Sequence, residues 1–245
     1  MLGLRDISVV NSQTYQKVVR ERRFMLSGVV ASVTGAIMMI IAVSTTSWVT
    51  VAIDFPANKS SLFHIGIWYE WEIVISNGVV VTQKYIPHFP NPPSEEQRLK
   101  IVATLNHFYR TQAVFSALSL ALMTAANGSA IYSLLVQHRY MYKRLAALLF
   151  AFAAMCVLIV IEVMIYSIGQ WHVDLRKAQA NKDLTIEEYL TERTTYGLST
   201  VLSWLVFAIY ITAAGIFLYG SRKRKGDRAA TDKFEFEDRP VELGR

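Results

Sequence analysis

A single cysteine, Cys156, stands among 245 residues, so no disulfide can form within the chain and no thiolate cluster can hold a structural zinc. Histidine is almost as sparse: His64, His88, His107, His138 and His172 are scattered, with no HExxH and no short paired spacing. Cys156 itself lies inside an apolar run with no pattern of activating neighbours. These absences leave no catalytic constellation, no cofactor motif, no metal site and no mark of a small-molecule substrate, and the chain is not expected to be an enzyme. Charged residues are few, at 18%. The net charge of +6 falls in short clusters rather than on a folded basic face, which argues against nucleic acid as a partner.

What is abundant is apolar sequence: 53% of residues are hydrophobic and the mean hydropathy is +0.29. The excess is concentrated in four runs, Ser27–Ser47, Ala113–Val136, Leu145–Ile168 and Leu198–Tyr219. Each is near the ~20 residues that a helix needs to cross the hydrocarbon core. The first run is longer than the apolar part of a signal peptide and follows a long polar segment, so it is expected to be retained. Lys17, Arg20, Arg22 and Arg23 precede the first run, Arg139, Lys143 and Arg144 separate the second from the third, and Arg222, Lys223, Arg224, Lys225 and Arg228 follow the fourth. Basic residues resist translocation, which predicts that both termini are cytoplasmic in the plasma membrane. The expected order is a cytoplasmic segment 1–23, helix 24–48, an extracellular loop 49–111, helix 112–137, a turn 138–144, helix 145–168, a second outer loop 169–197, helix 198–220 and a disordered tail 221–245. The basic tail is read first as a stop-transfer anchor; contact with anionic lipid is the second reading.

The first loop is too long and too patterned to be a mere connection. Asn77-Gly78 is a strong hairpin signal, because a type I′ turn needs positive φ at both central residues. The spacing predicts a hairpin from Ser61–Ile75 and Val79–Ile86, with Trp48–Phe55 as a third strand. Alternation then puts Ile65, Ile67, Tyr69, Trp71, Ile73 and Ile75 on one apolar face, and Trp68, Glu70 and Glu72 on the other. A two-residue turn opposes Ile75 to Val80, Ile73 to Thr82, Trp71 to Lys84 and Tyr69 to Ile86. After the breaker PHFPNPP, Ser94-Glu95-Glu96-Gln97 fits a capping box for a short helix that runs to Tyr109. Asn58-Lys59-Ser60 is an N-glycosylation sequon expected to be used; Asn127-Gly128-Ser129 lies at membrane depth and is not. In the second loop, Thr185-Ile186-Glu187-Glu188 suggests a short helix or an extension of the third membrane helix.

Trp48 followed by Gly66-Ile67-Trp68 resembles the W…GLW signature in the first extracellular loop of the claudin, peripheral myelin protein and epithelial membrane protein superfamily. TQAVFSALSLAL at the second helix, and YGLSTVLSWLVFAIYITAAGIFLYGSRKRK over the fourth helix and its basic end, are similar to the corresponding parts of that superfamily. The resemblance covers about residues 20–225 and implies an all-α transmembrane four-helix bundle with a small extracellular β-sheet. In the family a cysteine stands at the position of Trp71 and pairs with another in the next strand, and here that clasp is missing. Loss of such a bond typically costs ~2–5 kcal/mol, so the hairpin is expected to rely on cross-strand packing around Trp71, Asn77, Gly78 and Lys84. The rival reading makes Trp71 an exposed anchor for a partner. Leu243-Gly244-Arg245 also departs from the hydrophobic last residue by which many claudins bind PDZ scaffolds.

Glu162 is the only formally charged residue well inside an apolar run. It is read as a polar clasp to neighbouring helices near Ser44, Thr45 and Ser203, with a functional intramembrane carboxyl as the alternative. Small residues at four-residue spacing (Gly28/Ser32/Ala36, Ala117/Ala121/Ala125, Ala147/Ala151) predict close helix packing. Between residues 49 and 108 five acids (Asp54, Glu70, Glu72, Glu95, Glu96) and four bases (Lys59, Lys84, Arg98, Lys100) give a net of −1, which selects no permeant ion. The resemblance implies a role in cell–cell contact, junction or barrier, or membrane organisation through the outer sheet. The alternative is an auxiliary subunit of a channel or receptor. The partners expected on either reading are membrane lipid and other membrane proteins, including further copies of the chain.

Overall fold

The computed structural model describes residues 3–89, 99–135, 140–180 and 191–221. Its elements run α1 (Gly3–Ser44), β1 (Val49–Phe55), β2 (Lys59–Ile65), β3 (Tyr69–Ser76), β4 (Val79–Pro87), α2 (Leu99–Leu135), α3 (Tyr140–Ala180), β5 (Thr191–Tyr196) and α4 (Leu198–Gly220). All four helices are long and apolar enough to cross a membrane, over Val19–Ser44, His107–Leu135, Met141–Lys177 and Leu198–Gly220, and the chain is a multi-pass membrane protein. The helices overrun the apolar runs that announce them. The segment before residue 24 continues α1 back to Gly3, and the expected short helix before Tyr109 is the start of α2. Lys143 and Arg144 belong to α3 rather than to a turn, and α3 continues past Ile168 to Ala180. Hydropathy marks only the part of a helix that lipid surrounds. Both capping boxes and the C-terminal tail lie outside the described residues.

Exposed aromatic residues mark where the bundle meets the two membrane faces. Tyr166 and Tyr196 are exposed at the sheet end, and Tyr132 and Tyr219 at the far end, where Tyr132 meets Tyr142 at 4.7 Å. At ~1.5 Å per residue, Tyr142 to Tyr166 spans about 36 Å, which fits a ~30 Å core with its interfaces. Midway, Ser32 Oγ donates to Asn127 Oδ1 (2.6 Å), Asn127 Nδ2 to the Tyr210 hydroxyl (3.3 Å), and that hydroxyl to the Ser32 carbonyl (3.0 Å). The ring ties α1, α2 and α4 together where no water competes, and it accounts for Asn127, the buried residue of the second sequon. Gly28 and Gly35 let α1 approach Phe217 and Tyr210 of α4. On α2 the expected alanine stripe Ala117/Ala121/Ala125 is exposed, and the buried stripe is Gln112, Ser116, Ser119, Met123, Asn127 and Ala130.

Beyond one end of the bundle the five strands form an antiparallel sheet of order β4-β3-β2-β1-β5. The expected strand Ser61–Ile75 is two strands, β2 and β3, because the chain reverses at Gly66-Ile67-Trp68, where the Gly66 N–H bonds the Tyr69 carbonyl at 3.0 Å. β5 is a strand that the sequence did not announce. It comes from the second loop and pairs only with β1. The turn is as expected, with φ of 52° at Asn77 and 78° at Gly78. The register is not. Val81 is an extra residue on β4, so only Ile75 keeps its expected partner, Val80, while Ile73 faces Gln83, Trp71 faces Tyr85, Tyr69 faces Pro87 and Lys84 faces Glu72.

β1 leaves α1 through Trp48, which is 0% exposed and donates its indole N–H to the Ala42 carbonyl at 2.7 Å. Its own carbonyl accepts from the Gly197 N–H (2.8 Å) and the Thr200 hydroxyl (2.7 Å), and the Ser47 carbonyl accepts from the Ser199 N–H (3.0 Å). These carbonyls take the place of a side-chain N-cap, which α4 lacks. A β-carbon at Gly197 would collide with the Ser47 carbonyl. Gly197→Ala should therefore cost about 2–4 kcal/mol by forcing that seam apart. Gly215→Ala, at an α4 glycine with open space around it, should leave the thermal midpoint of the detergent-solubilised protein unchanged or slightly raised.

Candidate functional site

Strand register sorts the side chains onto two faces. Towards the helices point the rows Val49–Ile65–Glu70, Val51–Phe63–Glu72 and Ile53–Ser61–Val74. Away from them point Thr50–His64–Trp71–Tyr85, Ala52–Leu62–Ile73–Gln83 and Asp54–Ser60–Ile75–Val80. β3 does have one apolar and one acidic face, as its alternation predicts. The acidic one, Glu70 and Glu72, is turned towards the helices, and the apolar one is turned away. The core demands apolar residues only of β1 and β2, where Val49, Val51, Ile53 and Ile65 are buried. β3 and β4 overhang it, and none of their residues is buried. Trp71 consequently packs edge-on to Tyr85 at 5.4 Å on the outward face, where Tyr69 also meets Tyr85 at 4.9 Å. Lys84 lies on the opposite side, across from Glu72, as an opposite-charge pair.

The sheet stands on end. β1 climbs from the Trp48 seam, and α3 climbs beside it for about 20 Å beyond Tyr166. Trp171 meets Phe63 at 5.9 Å, and His172 lies 3.1 Å from Glu192 Oε2 and 2.8 Å from Thr194 Oγ1. One turn further up, Arg176 donates to Glu192 Oε1 at 2.5 Å. A carboxylate cannot donate, so His172 carries its proton on Nδ1, and Nε2 accepts from the Thr194 hydroxyl while the ring is neutral. These contacts hold β5, and through Phe63 also β2, against the extension of α3. The turns carrying Asn58 (φ 56°) and Asn77 form the far tip, joined by an Asn77 N–H to Asn58 carbonyl bond of 3.0 Å, with Val79, Val80 and Val81 exposed beside them.

At the opposite, membrane-proximal end of the strands, the signature residues form one anchor. A β-carbon at Gly66 would press on the Thr46 backbone, so glycine lets the reversal close on the α1–β1 link. Ile67 is fully buried. Trp68 is 40% exposed and packs edge-on to Phe89 at 6.2 Å. His88 donates its backbone N–H to the Trp68 carbonyl (2.8 Å) and its Nδ1–H to the Ile67 carbonyl (3.0 Å), while its ring stacks on Tyr109 at 3.9 Å. Burial lowers the His88 pKa against the upward pull of the Ile67 bond, so the ring stays neutral. Below it His88 Nε2, both amide atoms of Gln112 and Ser116 Oγ are buried without a hydrogen-bond partner. In the sequence His88 is one of five scattered histidines, and its pairing with the helix-2 aromatic Tyr109 has no linear signal.

Glu162 is exposed on α3, one turn below Tyr166 and therefore close to the membrane interface, where a carboxyl reaches water. The expected clasp is not formed. Ser44 donates to the Ile40 carbonyl, Thr45 shares a 2.6 Å bond with Ser199, and Ser203 donates to the Ser199 carbonyl. Cys156 is buried in α3. Among the described residues no group of three His, Cys, Asp or Glu side chains is placed to hold a metal. No family model matches the chain, and no curated protein matches it.

The α3–β5 clamp has a pH signature. Burial raises the Glu192 pKa, but hydrogen bonds and charge from Arg176 and His172 outweigh it and hold the carboxyl below its ordinary value. A depressed carboxyl stabilises the fold above its unfolded pKa, and the contribution is lost as pH falls through the folded value. Thermal midpoints of the purified protein should fall as pH drops below about 4.5. Glu192→Gln should start lower and lose less over that range; an equal loss in the variant would place the acid-sensitive group elsewhere.

Proposed function

We propose that the chain is a claudin-like membrane protein acting in cell–cell contact, junction or barrier, or membrane organisation through an extracellular sheet. The observation that carries this reading is the outward face of β2, β3 and β4. It carries no Asp, Glu, Lys or Arg, is apolar and aromatic at its half-buried centre and is exposed at Val80 and Tyr85, whereas monomeric surfaces rarely keep such patches without a use. The resemblance of Trp48 and Gly66-Ile67-Trp68 to the family signature gains weight because these residues act together, plugging the bundle and closing the sheet onto it. A second reading, an auxiliary subunit of a channel or receptor, draws support from the same apolar and aromatic face, which suits a neighbouring membrane protein.

In transfected cells, tags on both termini should be inaccessible from outside, and Asn58→Gln should remove a glycosidase-sensitive shift. The tagged protein should concentrate where two expressing cells meet and not where an expressing cell meets a non-expressing one. Uniform surface distribution together with co-purification of one channel or receptor would favour the auxiliary reading instead.

A further inference from the structure

We infer that His88, Gln112 and Ser116 form a binding site for internal water at the joint between the outer sheet and α2. The site owes nothing to the proposed role in cell contact. Among the described residues, His88 Nε2, both amide atoms of Gln112 and Ser116 Oγ are buried with no hydrogen bond, and a buried polar atom left in that condition is rare in a folded protein. Gln112 and Ser116 are 0% exposed and His88 is 6% exposed. Ser32, Ser119, Ser133, Ser167 and Ser203, buried in the same bundle, each donate to a carbonyl one turn back, and Ser116 does not.

Helix geometry brings the three side chains together. Tyr109, Gln112 and Ser116 are spaced by three and four residues and so share one face of α2. Side chains on a helix lean towards its N-terminus, which in α2 is the sheet end, so Gln112 leans towards Tyr109 and Ser116 towards Gln112. His88 is stacked on Tyr109 at 3.9 Å, with the ring planes 5° apart. Its Nδ1–H is spent on the Ile67 carbonyl, which leaves Nε2 of the neutral ring as a bare lone pair. Phe108 meets Tyr166 at 5.3 Å, which sets this stretch of α2 at the outer membrane face, and Ser116 lies about 12 Å further in. The cluster runs from the interface, where water is at hand, to a depth where no bulk water competes.

The unpartnered atoms select the occupant. His88 Nε2 and Gln112 Oε1 need a donor, Gln112 Nε2 needs an acceptor, and Ser116 Oγ serves as either. A bare cation finds no carboxylate among the three side chains, and an anion meets two lone pairs. A hydroxylic molecule both donates and accepts, and enclosure by side chains so fully buried selects the smallest one, water. Such a water bridges two or more buried groups and is a part of the fold. It carries the polar link from His88, just past the end of β4, to α2.

The test is radiolytic hydroxyl-radical labelling of the full-length protein in detergent with its co-purified lipid, read residue by residue by mass spectrometry. Radicals born from a bound water oxidise the side chains beside it where bulk solvent does not reach. Label on His88 and Tyr109 should rise with dose several-fold faster than on Tyr210, a buried tyrosine whose hydroxyl is bonded to Asn127 and Ser32. It should also persist in a bulk radical scavenger that suppresses label on the exposed Trp68. Label no faster than at Tyr210, or lost to the scavenger together with that of Trp68, overturns the inference. Label that arises only after lipid is stripped overturns it as well, because a lipid hydroxyl then holds the site. Gln112→Met keeps the volume and removes the amide. It should slow the labelling of His88 and lower the thermal midpoint, since the water loses partners and His88 Nε2 loses its bridge. A raised midpoint means a dry site relieved of two unpartnered atoms, and it too overturns the inference. Labelling of the unsubstituted protein decides the matter where Gln112→Met is poorly delivered.

Discussion

The first backbone N–H groups of a helix have no partner within it, and in α4 the carbonyls of Ser47 and Trp48 supply one. The rest of the outer layer depends on that exchange. It fixes the end of α1 to the start of α4, and it delivers β1 and β5 side by side from the same point, so the sheet begins already paired. Trp48 fills the space beneath, with its indole N–H spent on α1. Gly197 is small because the α1–β1 link and the start of α4 cross there almost in backbone contact. From this seam the sheet grows outward by hairpins, β1 to β2 and β3 to β4, and returns to the bundle at Gly66 and at His88.

Without a disulfide, the sheet is secured at its margins rather than through its middle. α3 supports one margin through Trp171, His172 and Arg176; the stacked pair His88 and Tyr109 supports the base of β3 and β4. The middle of the outward face carries Trp71 against Tyr85. Packing and exposure coexist at that spot. The aromatic contact stiffens the hairpin and at the same time leaves ring surface for a neighbour, so the two readings of Trp71 describe two sides of one ring.

How much of this was legible depends on how local each cause is. The four helices are written in hydropathy, and the Asn77-Gly78 turn in the demand for positive φ, so both can be read from short windows. The start of β1 behind Trp48 is equally plain. The extra residue at Val81 is not, since Val79–Val81 offers three near-identical residues and nothing local to say which is left unpaired. The direction of the faces escaped for another reason. Alternation in β3 tells that two faces differ, but which one meets the helices is set by β1 and β2, and the overhang of β3 frees its apolar side from the core. β5, with the polar sequence TERTTY, is a strand because the edge of β1 waits for it. Glu162 looks deep in a one-dimensional run, and only the aromatic level at Tyr166 shows how near the surface it is.

The position of β5 in the chain has a consequence for biosynthesis. The strand that completes the sheet is made just before α4, and its fixing points are the first N–H groups of that helix, so the edge of β1 stays open until the last membrane helix has gone in. Maturation of the outer layer is thereby tied to completion of the bundle, with no oxidation step in between. An open strand edge is a template for pairing with other chains, and β5 closes the β1 edge against it.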